Sequence, residues 1–403
     1  MNRTYLKHEF LLTAKSKRTI PFLLFIGVLL VSYCFLIVPN RETKETFHPD
    51  ETREYITGLE VEQTQRMKDG NTGIILMTGD PVFARNDYYH GLFSALLNAY
   101  EDRNFLRYLH LRAYYLESDP SVYLQDENLF KRSPYPVKDR EHLYHQTMLR
   151  YEDYLMNNRP ITEALLFQKT GFQSLHTFLH TYGFYFFLFC AVYFSSDILS
   201  RDRSHRTVLQ GLPLSWYRQL NLKSLAVFSY TFLVLVAVLL AGFFVLSSQF
   251  GFGYTNLHVP IMTAQNTFTI EDYGVISVMK FVSLSLGALL LLLLVFIRIN
   301  VILSLLLKNE WLVLLLGTLM IFSERLYNPR TTREILGIDI SYFPQTYFDF
   351  GKIVTGEKNF LLNTETITLA KGVVVLLVAA AIIEAVLFVL SRIVTKRRLY
   401  QSR

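Results

Sequence analysis

Two histidine pairs stand at helical spacing, His176 with His180 and His142 with His145. Neighbours on one helix face can supply two corners of a tetrahedral metal site. No third ligand accompanies either pair, so no metal site is expected. Histidines at a membrane interface account for the first pair and a solvated helix face for the second. The phosphate-cradling pattern Gly-x-x-x-x-Gly-Lys-Ser/Thr is absent, because Gly351-Lys352 lacks its upstream glycine. His-Glu-x-x-His and Gly-x-Ser-x-Gly are absent too, and neither Cys34 nor Cys190 has a base nearby in the sequence. No catalytic residues are expected, and the chain alone cannot hydrolyse ATP. The charges that stand out are Arg298 and Glu384, each inside a long apolar run. A charge in hydrocarbon is costly and faces a partner or an aqueous path. Counting inward from their helix ends puts both about 12–15 Å deep, so they are expected to pair with each other.

The elements that must hold these residues are membrane spans. Hydrophobic residues make up 51% of the chain and charged residues 18%, too apolar for an ordinary soluble protein. Six runs approach the roughly 20 residues needed to cross a bilayer: 20–38, 173–199, 225–248, 275–307, 308–326 and 369–394. Both cysteines fall inside such runs, so no disulfide framework exists. The first run lacks a small-residue cleavage site, and Tyr33 before Cys34 is a poor lipoprotein signal, so it is expected to be retained.

The formal net charge of +6 lies in three short stretches that flank the spans. They are Arg3 to Arg18, Arg201 to Lys223, and Lys396 to Arg403, while residues 249–274 contain no Lys or Arg. With six spans all three fall on one side, the cytoplasm, with both termini there. Such flanks are topology signals, and no nucleic-acid partner is expected. Residues 1–19 form an amphipathic helix in the cytoplasmic interface. Residues 39–172 become an acidic, mainly helical extracytoplasmic domain, with helices over Tyr55 to Met67, Asn86 to Tyr115 and Arg140 to Met156. Asp50 and Thr52 offer caps for the first of these, and Pro160 opens a further short helix. The expected class is an all-α polytopic membrane protein with six transmembrane helices.

The loop at 200–224 reads Ser200-Arg201-Asp202-Arg203-Ser204-His205-Arg206-Thr207-Val208-Leu209-Gln210-Gly211-Leu212-Pro213-Leu214-Ser215 and runs on to Lys223. Before the last span, Tyr342-Phe343-Pro344 leads through Tyr347-Phe348-Asp349 to Val354-Thr355-Gly356. Together with the six spans and the interfacial helix, this resembles the permease subunits of type-2 ATP-binding-cassette (ABC) transporters, of the subset with a large outer domain after the first span. Asp202 stands where the family commonly has Glu, and Arg206-Thr207 where it has Gly-Thr. The resemblance implies that the 200–224 loop is the coupling helix docked on a separate cytoplasmic ATPase, through Asp202, Arg203, Arg206, Thr207, Leu209, Leu212 and Pro213. It implies re-entrant helices within 327–368, a cytoplasmic tail at 395–403, and a second permease subunit in a homo- or heterodimer. ATP and magnesium would belong to the partner subunit, with no cofactor in this chain. The expected function is export across the plasma membrane, with Phe184, Phe186 and Phe187 as candidates to line an apolar path. The alternative is a non-transporting sensor or scaffold whose outer domain binds a peptide or envelope partner.

Overall fold

An apolar run in hydrocarbon can satisfy its backbone only within itself, which makes it helical. The computed structural model describes residues 2–43, 45–70, 73–75, 79, 81–119, 133–157, 159–201, 214–267, 269–307, 309–326, 330 and 332–395, without the side chains of Asn2, Arg325 and Leu326. The chain is mostly helical with little sheet, and five helical stretches are long and apolar enough to cross a membrane, marking it as a membrane protein. Two compact units divide it, one formed by residues 41–169 with 267–275 and the other by the rest.

Helix α1 (Asn2–Ala14) precedes α2 (Thr19–Ser32), which continues as a π turn over Tyr33–Ile37. The smaller unit then holds α3 (Pro49–Asp69), α4 (Val82–Glu101), α5 (Phe105–Ser118), α6 (Pro136–Met156) and the short α7 (Glu163–Leu166). Pro49 at the first helical position starts α3, and left-handed Gly70 ends it. Thr52 therefore lies inside the helix, its hydroxyl bonded to the His48 carbonyl, instead of capping it. The single helix expected over Asn86 to Tyr115 is two, because Asn104 caps a new start by accepting from the Arg107 amide at 3.1 Å.

Inside this unit Phe47, Tyr100, Tyr108 and Phe167 pack in tilted and edge-to-face contacts, and burial pushes the Tyr108 hydroxyl up to about 12. Buried Glu45 pairs with Arg150 at 2.5 Å. His142 does not lie on a solvated face. It is buried, with Nδ1 2.6 Å from the Tyr273 hydroxyl, and the ring of His145 lies beside the same tyrosine.

In the larger unit, α8 (Gly171–Phe178), a π turn (Leu179–Gly183) and α9 (Phe184–Ser195) make one continuous helical rod. Helix α10 (Trp216–Phe250) starts nine residues before the expected 225, so 216–224 is helix and not loop. Strands β1 (His258–Met262) and β2 (Tyr273–Ser277) precede α11 (Val278–Leu306) and α12 (Glu310–Ile321). The hairpin β3–β4 (Glu334–Ile335, Ile338–Asp339), short helices α13 (Phe350–Val354) and α14 (Glu357–Leu362), and α15 (Leu369–Ile393) follow. The strands are the departure from an all-α reading.

Helix α12 has 12 residues, about 18 Å, against a hydrocarbon thickness of about 30 Å. It is extended by a 3₁₀ turn over Ser323–Leu326. Ser200 bonds Glu310 where this segment begins and Tyr185 bonds Glu324 where it ends, so it runs beside α9 for roughly 20 Å.

Asn300, fully buried on α11, donates to the Val192 carbonyl at 2.9 Å and to the Ser195 hydroxyl at 2.7 Å. Gly317 of α12 lies so close that a Cβ there would stand 2.7 Å from both Asn300 Oδ1 and Val192. Gly287 on α11 has open space at the same position. Gly317→Ala should therefore destabilise the protein by about 1–3 kcal/mol. Gly287→Ala should leave it unchanged or firmer by up to about 1 kcal/mol. Thermal melts of both variants in one detergent check the opposite signs.

Candidate functional site

Polar side chains link α1, α9, α10, α11, α12 and α15 near residues 197–201 and 216–224. Helix α1 docks on α10 through Tyr5, Glu9 and Thr13, which recur every four residues on one face and are buried. Glu9 Oε1 lies 2.7 Å from Lys223 Nζ, with the side chains only 5% and 2% exposed. The ammonium also stands 5.8 Å from the Tyr5 ring. Lys223 is thus a buried lock in mid-helix, not a surface charge ahead of a span.

Thr13 accepts from both terminal nitrogens of Arg201 at 3.3 Å, and Arg201 pairs with Asp197 at 3.3 Å. Burial pushes the Asp197 carboxyl above the usual carboxylate range, with Arg201 and Arg18 pulling it back. Arg18 pairs with Glu310 at 3.0 Å and lies 4.7 Å from the Trp311 ring, while Ser200 donates to Glu310 at 2.7 Å. The residues that enter the 202–213 segment are therefore tied to α1 and α12.

The residues leaving that segment are tied elsewhere. Trp216 Nε1 donates to the Val394 carbonyl at 2.9 Å, and the Tyr217 hydroxyl bonds Glu384. Glu384 Oε2 lies 3.3 Å from Arg298 Nε, so these two residues of α15 and α11 come together. Arg298 also donates to Asn221 at 2.7 Å and Ser224 at 3.2 Å on α10. Of the residues singled out in the sequence, this pair is brought together. Asp202, Arg203, Arg206, Thr207, Leu209, Leu212 and Pro213 lie outside the described residues.

Along the α8–α9 rod His176 and His180 stack with ring centroids 5.6 Å apart, but His180 turns to Glu357 at 2.7 Å and Thr355 at 3.2 Å. Among the described residues no three His, Cys, Asp or Glu side chains gather to hold a metal ion. Phe184 and Phe187 are buried in helix packing, not on a path; Phe186 lines an apolar cavity of about 220 Å³ between α2, α8–α9 and α10. Both cysteines are buried and free.

Sequence reasoning missed Glu9, Tyr217, Asn221, Ser224, Glu310 and Lys358. The one signal available was Glu9, an acid in register with Tyr5 and Thr13 on an otherwise basic helix. Comparison with protein-family models, with curated proteins and with solved structures finds no match to this chain.

A buried ion pair broken on one side leaves an uncompensated charge and costs about 3–5 kcal/mol. Lys223→Met should lose stability on that scale, and Lys223→Met with Glu9→Met should recover most of it, read from detergent melts. For Arg298→Met and Glu384→Gln, a double-mutant cycle should give a coupling of about 0.5–3 kcal/mol. Additive losses would mean the two charges do not support each other.

Proposed function

We propose that this chain is the membrane-spanning permease subunit of an ABC exporter, working with a second permease subunit and a cytoplasmic ATPase that holds ATP and magnesium. In this reading there are six crossings, the five long helices plus α12 with its 3₁₀ turn. Both termini then lie on the cytoplasmic side of the plasma membrane, and residues 41–169 lie outside.

The observation that carries the reading is the double clamp around 202–213. Arg201 and Ser200 hold its entry to α1 and α12, while Trp216 and Tyr217 hold its exit to α15. A push on a segment whose flanks are tied this way reaches α1 and α12 on one side and α15 on the other. A mere topology anchor needs only positive charge and no such ties. The apolar cavity beside Phe186 offers a place for an apolar part of cargo between spans.

Purification of the tagged chain from its native host in mild detergent tests this directly. An ATPase should come with it in stoichiometric amount. Replacing residues 208–212 by Gly/Ser should remove the ATPase while insertion is unchanged. A chain that purifies alone, or only with an envelope protein, would instead favour a sensor or scaffold.

A further inference from the structure

We propose that His180 and Glu357 form a proton-sensitive latch that holds the short helices α13 and α14 against the π turn of the α8–α9 rod. Helices of five and six residues are too short to persist unaided, so their position depends on tertiary anchors. Three of their anchors lie on the side of the π turn and Glu324. Gly351 of α13 lies against the π turn so closely that a Cβ would stand 2.5 Å from the Leu179 carbonyl and 3.0 Å from His180 Cα. Lys358 of α14 pairs with Glu324, both side chains being about 5% exposed, at 6% and 4%. His180 Nε2 lies 2.7 Å from Glu357 Oε2, with exposures of 19% and 21%.

The difference in exposure assigns the roles. The Glu324–Lys358 pair is sealed and serves as a fixed pivot. The His180–Glu357 pair is open enough for protons to exchange, and imidazole is the side chain that titrates near neutral pH. Left-handed Gly356 (φ 71°) and Asn363 (φ 51°) bound α14 on both sides, setting it off as a short separate element.

The groups facing His180 are few. Glu357 and Thr355 approach from α14 and the turn before it, and Asp349 and Lys352 from the start and body of α13, where they pair at 3.2 Å. His176 stacks from one turn away, and Phe281 of α11 covers the ring with no charge. Burial raises the Asp349 carboxyl against the pull of Lys352, Lys358 and His180.

The sign follows from the charges. Attraction is complete while the imidazole holds its proton and the carboxylate does not. It is lost as pH rises through the imidazole titration and again as pH falls through that of Glu357. The latch is closed in a window and open on either side of it. This holds whether or not an ATPase partners the chain.

Hydrogen exchange of the full-length protein in lipid nanodiscs, corrected for intrinsic rates and read between about pH 4.5 and 9, tests it. Protection of amides 351–362 should peak inside the range and fall about tenfold for each pKa unit by which the pair is coupled. His180→Lys should keep protection on the alkaline side, because its charge persists there. Glu357→Gln should flatten the profile at its low value. A flat wild-type profile, a His180→Gln variant with the wild-type profile, or a parallel change in α11 amides would each overturn the latch.

Discussion

The buried Glu324–Lys358 pair just past the end of the short helix α12 is the tie around which much of the larger unit's packing gathers. Twelve residues reach about 18 Å, and the 3₁₀ turn brings the segment only as far as Tyr185 on the neighbouring rod. Glu324 is buried at this point, and a buried carboxylate needs a counter-charge. Lys358 supplies the counter-charge, and α14 carries Lys358. Helix α13 beside it needs Gly351 to approach the π turn, and left-handed Gly356 packs on the Met262 carbonyl to join the two. The π turn, two glycines and two short helices thus pack together beside the end of α12.

Buried charge also ties other helices of the larger unit. Ions removed from water are stabilised only when geometry and further hydrogen bonds replace the lost hydration. Glu9 with Lys223 meets that condition, and the partly exposed pairs Arg18 with Glu310 and Arg298 with Glu384 likewise draw partners from different segments. Each pair joins elements that apolar contact alone would leave free to slide, since lipid tails compete equally for an apolar helix face. The result is a set of fixed ties around 202–213, on which the exporter reading rests.

Helix packing away from the charges depends on small residues and single amides. Asn300 joins α11 to α9 through a carbonyl and a hydroxyl, and Gly317 lets α12 come close enough to cover it. In the smaller unit, aromatic packing and the Glu45–Arg150 pair do the corresponding work in a more polar setting.

The sequence alone determined that the chain is a helical membrane protein, because hydrocarbon allows an apolar run only one backbone solution. It also made Arg298 and Glu384 legible as partners, since depth along a helix is a simple count of residues. It misjudged what depends on the third dimension. Nothing local tells that Lys223 faces Glu9 more than 200 residues away, that His142 reaches Tyr273, or that Asn104 halts a helix whose apolar pattern runs on. The shortness of α12 was legible in its apolar run, which ends at Phe322, but the buried pairing of Glu324 with Lys358 just beyond it was not. Periodicity and depth are properties of one segment, whereas a buried polar group is stabilised by whichever partner the fold brings to it.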